Sequence, residues 1–306
     1  MKNNKIITVN KKKFKLNISY ILGFFEGDGS CVIQLKPNSN HKTGKQVVLI
    51  FNIHQHQIDK DFLTAISLFL GCGKVEIGNK GITKDGLTKI IIYRLRISRQ
   101  SEVLNILLPI LKENLSNFIL KKRFNTIKLF IQACELVKNK EHTTLEGQER
   151  IKLISDKFSF KLNLEERNNL EPTIGLLNHS DKADWVRGFT DAEGCFSFSV
   201  VKTENNNNNF SMVFSYTVTQ ESLEVEMLNE LILFFGCGKV YTSLTHGSVF
   251  KVHSMKDLQT KVIPFFDKYP LQTKKYYSFL LFKKVLAIYL ENKSLLPSNI
   301  EDIKKL

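Results

Sequence analysis

Ile21-Leu22-Gly23-Phe24-Phe25-Glu26-Gly27-Asp28-Gly29 returns 165 positions later as Val186-Arg187-Gly188-Phe189-Thr190-Asp191-Ala192-Glu193-Gly194, so one helix with an acid-rich end occurs twice in this chain. In each copy two small residues stand four apart, Gly23 with Gly27 and Gly188 with Ala192, which places them on one helical stripe and permits close approach of a second backbone. Two carboxylates then close each helix, Glu26 and Asp28 in the first and Asp191 and Glu193 in the second, ahead of a glycine suited to a helix stop. Acids at that end oppose the helix macrodipole, so stability alone does not ask for them. If the two helices pack side by side, Asp28 and Glu193 converge at one end of the seam. Hard oxygen groups brought together there repel unless a divalent cation such as Mg2+ sits among them.

The duplication extends beyond the helix. Phe69-Leu70-Gly71-Cys72-Gly73-Lys74-Val75 matches Phe234-Phe235-Gly236-Cys237-Gly238-Lys239-Val240, and Phe51-Asn52-Ile53-His54-Gln55 matches Tyr216-Thr217-Val218-Thr219-Gln220, both at the same shift of 165. A fourth block, 109–122 against 264–275, lies at a shorter shift of 155 to 153, so the second copy has lost residues along the way. The period is too long for a solenoid. The expected organisation is a first unit over residues 1–137, a linker with a short helix over 138–180, and a second unit over 181–306.

At 306 residues and 42% hydrophobic content the chain can bury substantial cores, one per unit. No stretch approaches the roughly 18 to 20 apolar residues of a membrane span, and the N-terminal lysines lack the apolar core of a signal peptide, so an intracellular protein with no membrane partner is expected. Five cysteines without a CxxC pair, two of them in the repeated Gly-Cys-Gly turns, read as reduced apolar filler. Lys and Arg outnumber Asp and Glu by 44 to 30, a net charge of +14, which is the footprint of a polyanion partner and above all of nucleic acid.

Each copy reads as helix, two strands, helix, two strands, helix, helix. In the first, alternation predicts strands over 30–36 and 46–55, then 74–77 and 89–97, with helices over 58–70, 101–111 and 117–137. In the second, strands fall near 195–203, 210–220, 239–244 and 248–253, and helices near 221–235, 255–267 and 271–292. Five asparagines, Asn205 to Asn209, form a polar hairpin turn, and Thr143-Thr144-Leu145-Glu146 reads as a capping box ahead of the linker helix. Two antiparallel sheets placed side by side about the central helices would present one saddle rich in Lys, Arg, Gln, Asn and Ser, a shape that fits the major groove. Acids held over the centre of a bound duplex suit hydrolysis by metal-activated water.

On these residues the chain resembles the LAGLIDADG homing endonucleases in their single-chain, two-motif form, over roughly residues 17–293. The resemblance implies an α+β fold of tandem duplicated αββαββα units with pseudo-two-fold symmetry, central helices packed at the interface and two antiparallel sheets forming a DNA-binding saddle. It implies a site-specific double-strand DNA endonuclease that recognises a long pseudo-palindromic target and cuts with Mg2+ to leave 3′ overhangs, with Ca2+ supporting binding without cleavage. Asp28 and Glu193 fill its metal-binding acid positions, with Gly27 and Ala192 beside them. Gln55 and Gln220 match the glutamine that orders active-site water, and Lys121 and Lys274 match the basic residue at the start of the last helix, which stabilises charge at the cleaved phosphate. A basic residue often stands four places after that glutamine, where this chain has Asp59 and Glu224. Base and backbone reading falls to Gln34, Lys36, Asn38, Gln46, Asn52, Arg94 and Arg96 in the first unit. In the second it falls to Ser197, Ser199, Lys202, Ser211, Ser215, Thr217, Lys239, Lys251 and His253. The partner is double-stranded DNA and the protein a monomer. The alternative is an intron-encoded RNA maturase that binds its intron without cutting DNA. Richness in Lys, Asn and Ile points to an AT-rich genome, and the family commonly resides in mitochondria.

Overall fold

The structure is a computed structural model that describes residues 4–82, 89–159, 179–202, 210–243 and 247–292. It divides into two compact units, Met1–Gly188 and Phe189–Leu306.

The first unit opens with a ribbon absent from the sequence reading, β1 (Lys5–Val9) paired antiparallel to β2 (Lys12–Leu16). Asn10 and Lys11 join them with φ of 48° and 67°, the double left-handed geometry that matches strand twist in two-residue hairpins. Phe14 and Leu16 face inward, and Phe14 meets Phe62 of the helix Lys60–Leu70 at a centroid distance of 6.0 Å. The first motif helix, Ile18–Asp28, is capped by Asn17, whose side chain accepts from Tyr20 N, and nearly all of it is buried.

Four strands follow in the order β3-β4-β6-β5: β3 (Gly29–Pro37), β4 (Lys45–His56), β5 (Lys74–Ile82) and β6 (Lys89–Ile97). β5 runs five residues beyond its expected end, past a register shift between Ile77 and Asn79. The inner face of the sheet is covered by Lys60–Leu70 and by the closing helix Lys121–Lys138, against which a helical stretch in three segments (Gln100–Glu102, Val103–Leu107, Leu108–Glu113) packs. The middle segment is a π-turn just ahead of Pro109, whose missing N–H relieves the chain of one regular helical bond.

The linker helix Leu145–Ser159 belongs to this unit. Its cap is Thr144, whose hydroxyl accepts from Gly147 N at 3.1 Å, one residue later than the expected box from Thr143 to Glu146. Ile151 is fully buried, and Ser155 donates to Ile33 O while Gln148 donates to Lys45 O, so the helix is fastened to strands β3 and β4. The first half of the second motif helix, His179–Glu193, is also part of the first unit. Gly188 lies so close to the first motif helix that a Cβ there would meet Tyr20 O at 2.0 Å, which is the close approach expected of the small-residue stripe.

The second unit repeats the sheet as β7-β8-β10-β9: β7 (Gly194–Lys202), β8 (Phe210–Gln220), β9 (Lys239–Ser243) and β10 (Gly247–Val252). Its helices are Val225–Phe235, a stretch in three segments (Met255–Asp257, Leu258–Val262, Ile263–Lys268) with the π-turn again ahead of a proline, and the closing helix Lys275–Asn292. Phe196, Phe214, Tyr216, Phe250, Phe266, Phe279 and Phe282 fill the core with stacked and edge-on ring pairs. The Asn205 to Asn209 turn lies outside the described residues.

Candidate functional site

The two acids of each motif have different fates. Glu26 is 1% exposed; its Oε1 accepts from Ile119 N at 2.8 Å and Leu120 N at 2.7 Å, and its Oε2 accepts from the Trp185 indole. Asp191 is 3% exposed and accepts from Gln272 N at 2.7 Å, Thr273 N at 3.2 Å and the Thr273 hydroxyl at 2.6 Å. Each therefore satisfies amides at the entry of the closing helix, so these carboxylates hold the motif helix to the closing helix. Asp28 and Glu193, two residues on, are half-buried. Gln55, at the end of β4, donates its amide to Asp28 Oδ2. Gln220 ends β8 at the matching place, half-buried.

The glycine after each motif is not a left-handed stop. Gly29 has φ −89° and ψ 161°, ordinary extended backbone, and passes straight into β3. Its requirement is steric, because a Cβ at 29 would lie 2.0 Å from the Phe25 ring, and one at 194 would lie 2.5 Å from the Thr190 methyl.

Arg123 and Lys275 are the basic residues that sequence reasoning missed. The Arg123 guanidinium donates to Glu26 O at 2.9 Å and Gly27 O at 3.1 Å and lies over the Phe25 ring. Lys275 Nζ donates to Thr190 O at 3.0 Å and Ala192 O at 2.9 Å. Both place a cation on the carbonyl end of a motif helix, where the macrodipole welcomes it. Lys121 and Lys274 lie two and one positions earlier, Lys121 as the first residue of its helix and Lys274 just before the second begins. The signal was available: Ile119 and Leu120 match Gln272 and Thr273 at a shift of 153, but Ile127 and Phe130 match Phe279 and Phe282 at 152, so the register slips by one at this junction. The carbonyls of Gly27 and Ala192, expected beside a metal, thus accept from cationic side chains.

The strand residues sort by exposure. Gln34, Lys36, Gln46, Ser197, Ser199, Lys239 and His253 are exposed; Asn38, Arg94, Arg96, Ser211, Thr217 and Lys251 are half-buried. Lys202 ends β7. Asn52 and Ser215 run against the expectation of outward contact. Asn52 is 6% exposed with its Oδ1 unpartnered, because Ile50 beside it is buried too and both faces of mid-β4 are covered. Ser215 is 8% exposed and hydrogen-bonds Ser197 Oγ at 2.9 Å. Arg94 is paired with Glu76 at 2.7 Å, and burial, then the Arg94 charge, pushes the His54 imidazole below its usual range.

One row of the register recurs in both sheets. Ser30, Asn52, Arg96 and Lys74 stand opposite one another across β3, β4, β6 and β5, and Cys195, Thr217, Lys251 and Lys239 do so across β7, β8, β10 and β9. Like charges directly opposite are destabilising, so the Arg96/Lys74 and Lys251/Lys239 pairs cost the free protein stability and suit an anion laid across them. Lys74 was not among the expected contacts, although it matches Lys239 at the shift of 165.

Among the described residues no group of three or more His, Cys, Asp or Glu is gathered as a metal cage. The donor set nonetheless fits Mg2+, which takes one or two carboxylates and completes its shell with water and substrate phosphate. No helix among the described residues is long and apolar enough to cross a membrane.

A family model described as "LAGLIDADG endonuclease" matches residues 21–134 and 186–286. The chain is similar to "Probable intron-encoded endonuclease 3" of Neurospora crassa, 26% identical over 302 residues, covering 93% of this chain and 52% of that protein. It is also similar to "Probable intron-encoded DNA endonuclease 1" of Mycosarcoma maydis, 24% identical, covering 84% of this chain and 94% of that protein. The chain spans about half the length of the first of these relatives. Among solved structures, the I-SmaMI protein "bound to uncleaved DNA target in the presence of Calcium ions" superposes with a TM-score of 0.81 at 25% identity, covering 95% of this chain and 97% of that one.

Proposed function

Since this chain belongs to the LAGLIDADG endonuclease family, we propose that it is a site-specific homing endonuclease that cuts both strands of a long pseudo-palindromic duplex, leaving 3′ overhangs. The observation that carries this reading is the pairing, in each unit, of a half-exposed carboxylate with a cation fixed to the same helix end: Asp28 with Arg123, and Glu193 with Lys275. Each unit serves one strand. A divalent ion, Mg2+ in the cell and Ca2+ for binding without cutting, supplies a lowered water pKa and neutralises phosphate charge when bound. Asp28 in the first unit and Glu193 in the second would each hold such an ion. Gln55, hydrogen-bonded to Asp28, fixes the carboxylate's orientation, and Gln220 stands at the matching end of β8 in the unit of Glu193. Arg123 and Lys275, half-buried against the helix end, stabilise charge developing at the cleaved phosphate, and Lys121 and Lys274 extend this positive field. The outward face of each sheet holds the duplex, with the Arg96/Lys74 and Lys251/Lys239 pairs on the phosphates.

The relatives' description as intron-encoded supports an origin in an intron, and we propose a mitochondrial one. The test is a plasmid library of random targets incubated with Mg2+, followed by Asp28→Asn and Glu193→Gln. Wild type linearises selected targets, while each variant binds them in Ca2+ and makes no double-strand break. Full linearisation by either variant refutes the assignment. Tight binding of intron RNA with no cut target would turn the reading to a maturase.

A further inference from the structure

The outward faces of the two sheets differ in chemistry. In the first unit, Gln34 and Gln46 supply carboxamides, the groups that bond adenine edges in pairs. Among the described residues, the corresponding face of the second unit has no Arg, Asn or Gln. Along β8 the inward residues Met212, Phe214, Tyr216 and Val218 are buried, which puts Ser211, Val213, Ser215, Thr217 and Thr219 on the opposite face, where Ser215 alone is covered. Val213 stands opposite Ser199, Val201 opposite Ser211, and Tyr241 closes a row with Val249 and Thr219. Val201, Val213 and Tyr241 are 45%, 46% and 49% exposed, large apolar groups left in solvent on a face that otherwise carries hydroxyls. Among the described residues its lysines are Lys251 and Lys239, with His253 adjoining.

Hydroxyls bond any base edge once and discriminate little, while exposed methyl and ring carbon find one apolar feature in the major groove, the thymine 5-methyl. Resting on the DNA-binding reading above, we propose that the sheet β7 to β10 selects a thymine-rich half of the target through Val201, Val213 and Tyr241, while the sheet β3 to β6 reads its half by hydrogen bonds. The two halves of the target therefore differ in base composition although the two units share a fold.

The test uses duplexes selected from a random library, for binding in Ca2+ and separately for cleavage in Mg2+. Each thymine of a selected duplex is replaced singly by uracil, which deletes the 5-methyl and keeps the pairing. Affinity is expected to fall about fourfold per contacted methyl, at positions confined to one half, and Val213→Ser should erase the penalty at one or two of them. Gln46→Ala should alter base preference only in the other half. Uracil penalties spread evenly over both halves, or a full set surviving in Val213→Ser, overturn the proposal. Binding without cleavage sinks the nuclease reading while the uracil profile still decides this one, and failure to bind any duplex sinks both.

Discussion

Within each motif, two carboxylates two residues apart have different surroundings, one buried to hold the fold and one half-buried, to which the proposed mechanism gives the metal. Glu26→Ala would strand the amides of Ile119 and Leu120 and the Trp185 indole, costing about 3 kcal/mol or more by denaturant unfolding. Glu193→Gln, by contrast, should leave the unfolding midpoint nearly unchanged while removing cleavage. Lys275→Met should slow one strand by about 10²-fold or more, so a supercoiled plasmid target would accumulate as nicked circle instead of passing directly to linear product. The sequence reading singled out Asp28 and Glu193 but gave Glu26 and Asp191 no role of their own, because alternation and spacing carry no information on which carboxylate meets backbone amides from a helix nearly a hundred residues away. Arg123 was hidden for a related reason: it works from a position that the second copy fills with Tyr276 at one shift and Lys275 at another.

Strands and helices were largely legible, since each long element alternates or repeats cleanly and the duplication allowed one copy to correct the other. The ribbon β1 and β2 was not, because its turn, Asn10-Lys11, lacks glycine and its five lysines mask the alternation of Ile7, Val9, Phe14 and Leu16. Burial of Asn52 was equally invisible, as it depends on tertiary packing that buries both faces of the middle of β4. The opposed cations make the clearest prediction at this level. Lys74→Gln and Lys239→Gln should hold or raise the stability of the free protein, yet weaken duplex binding and lower its salt slope by about one each. A loss of stability with unchanged DNA affinity would contradict the role given to these rows.

For the molecule as a whole, the charge of +14 implies binding that weakens steeply between low and physiological salt. Its buried thiols set an alkaline limit. Burial pushes Cys72 up to about 11 and Cys134 up to about 12, and Cys31 is also raised. These groups keep their protons when folded but lose them when unfolded, so stability is full below about pH 9 and falls as pH climbs toward the folded values. Urea midpoints measured at pH 8 and pH 10.5 should show that drop, smaller in Cys134→Ala. The boundary between the compact units has a practical corollary for anyone exchanging halves among related nucleases. A graft cut at residue 181, where the sequence repeat places the start of the second unit, would carry off the indole that Glu26 grips and the Arg187 side chain that bonds Lys15 O. Joining after Gly188 keeps that clasp with its own partner, so hybrids spliced there should express and melt cooperatively where those spliced at 181 precipitate.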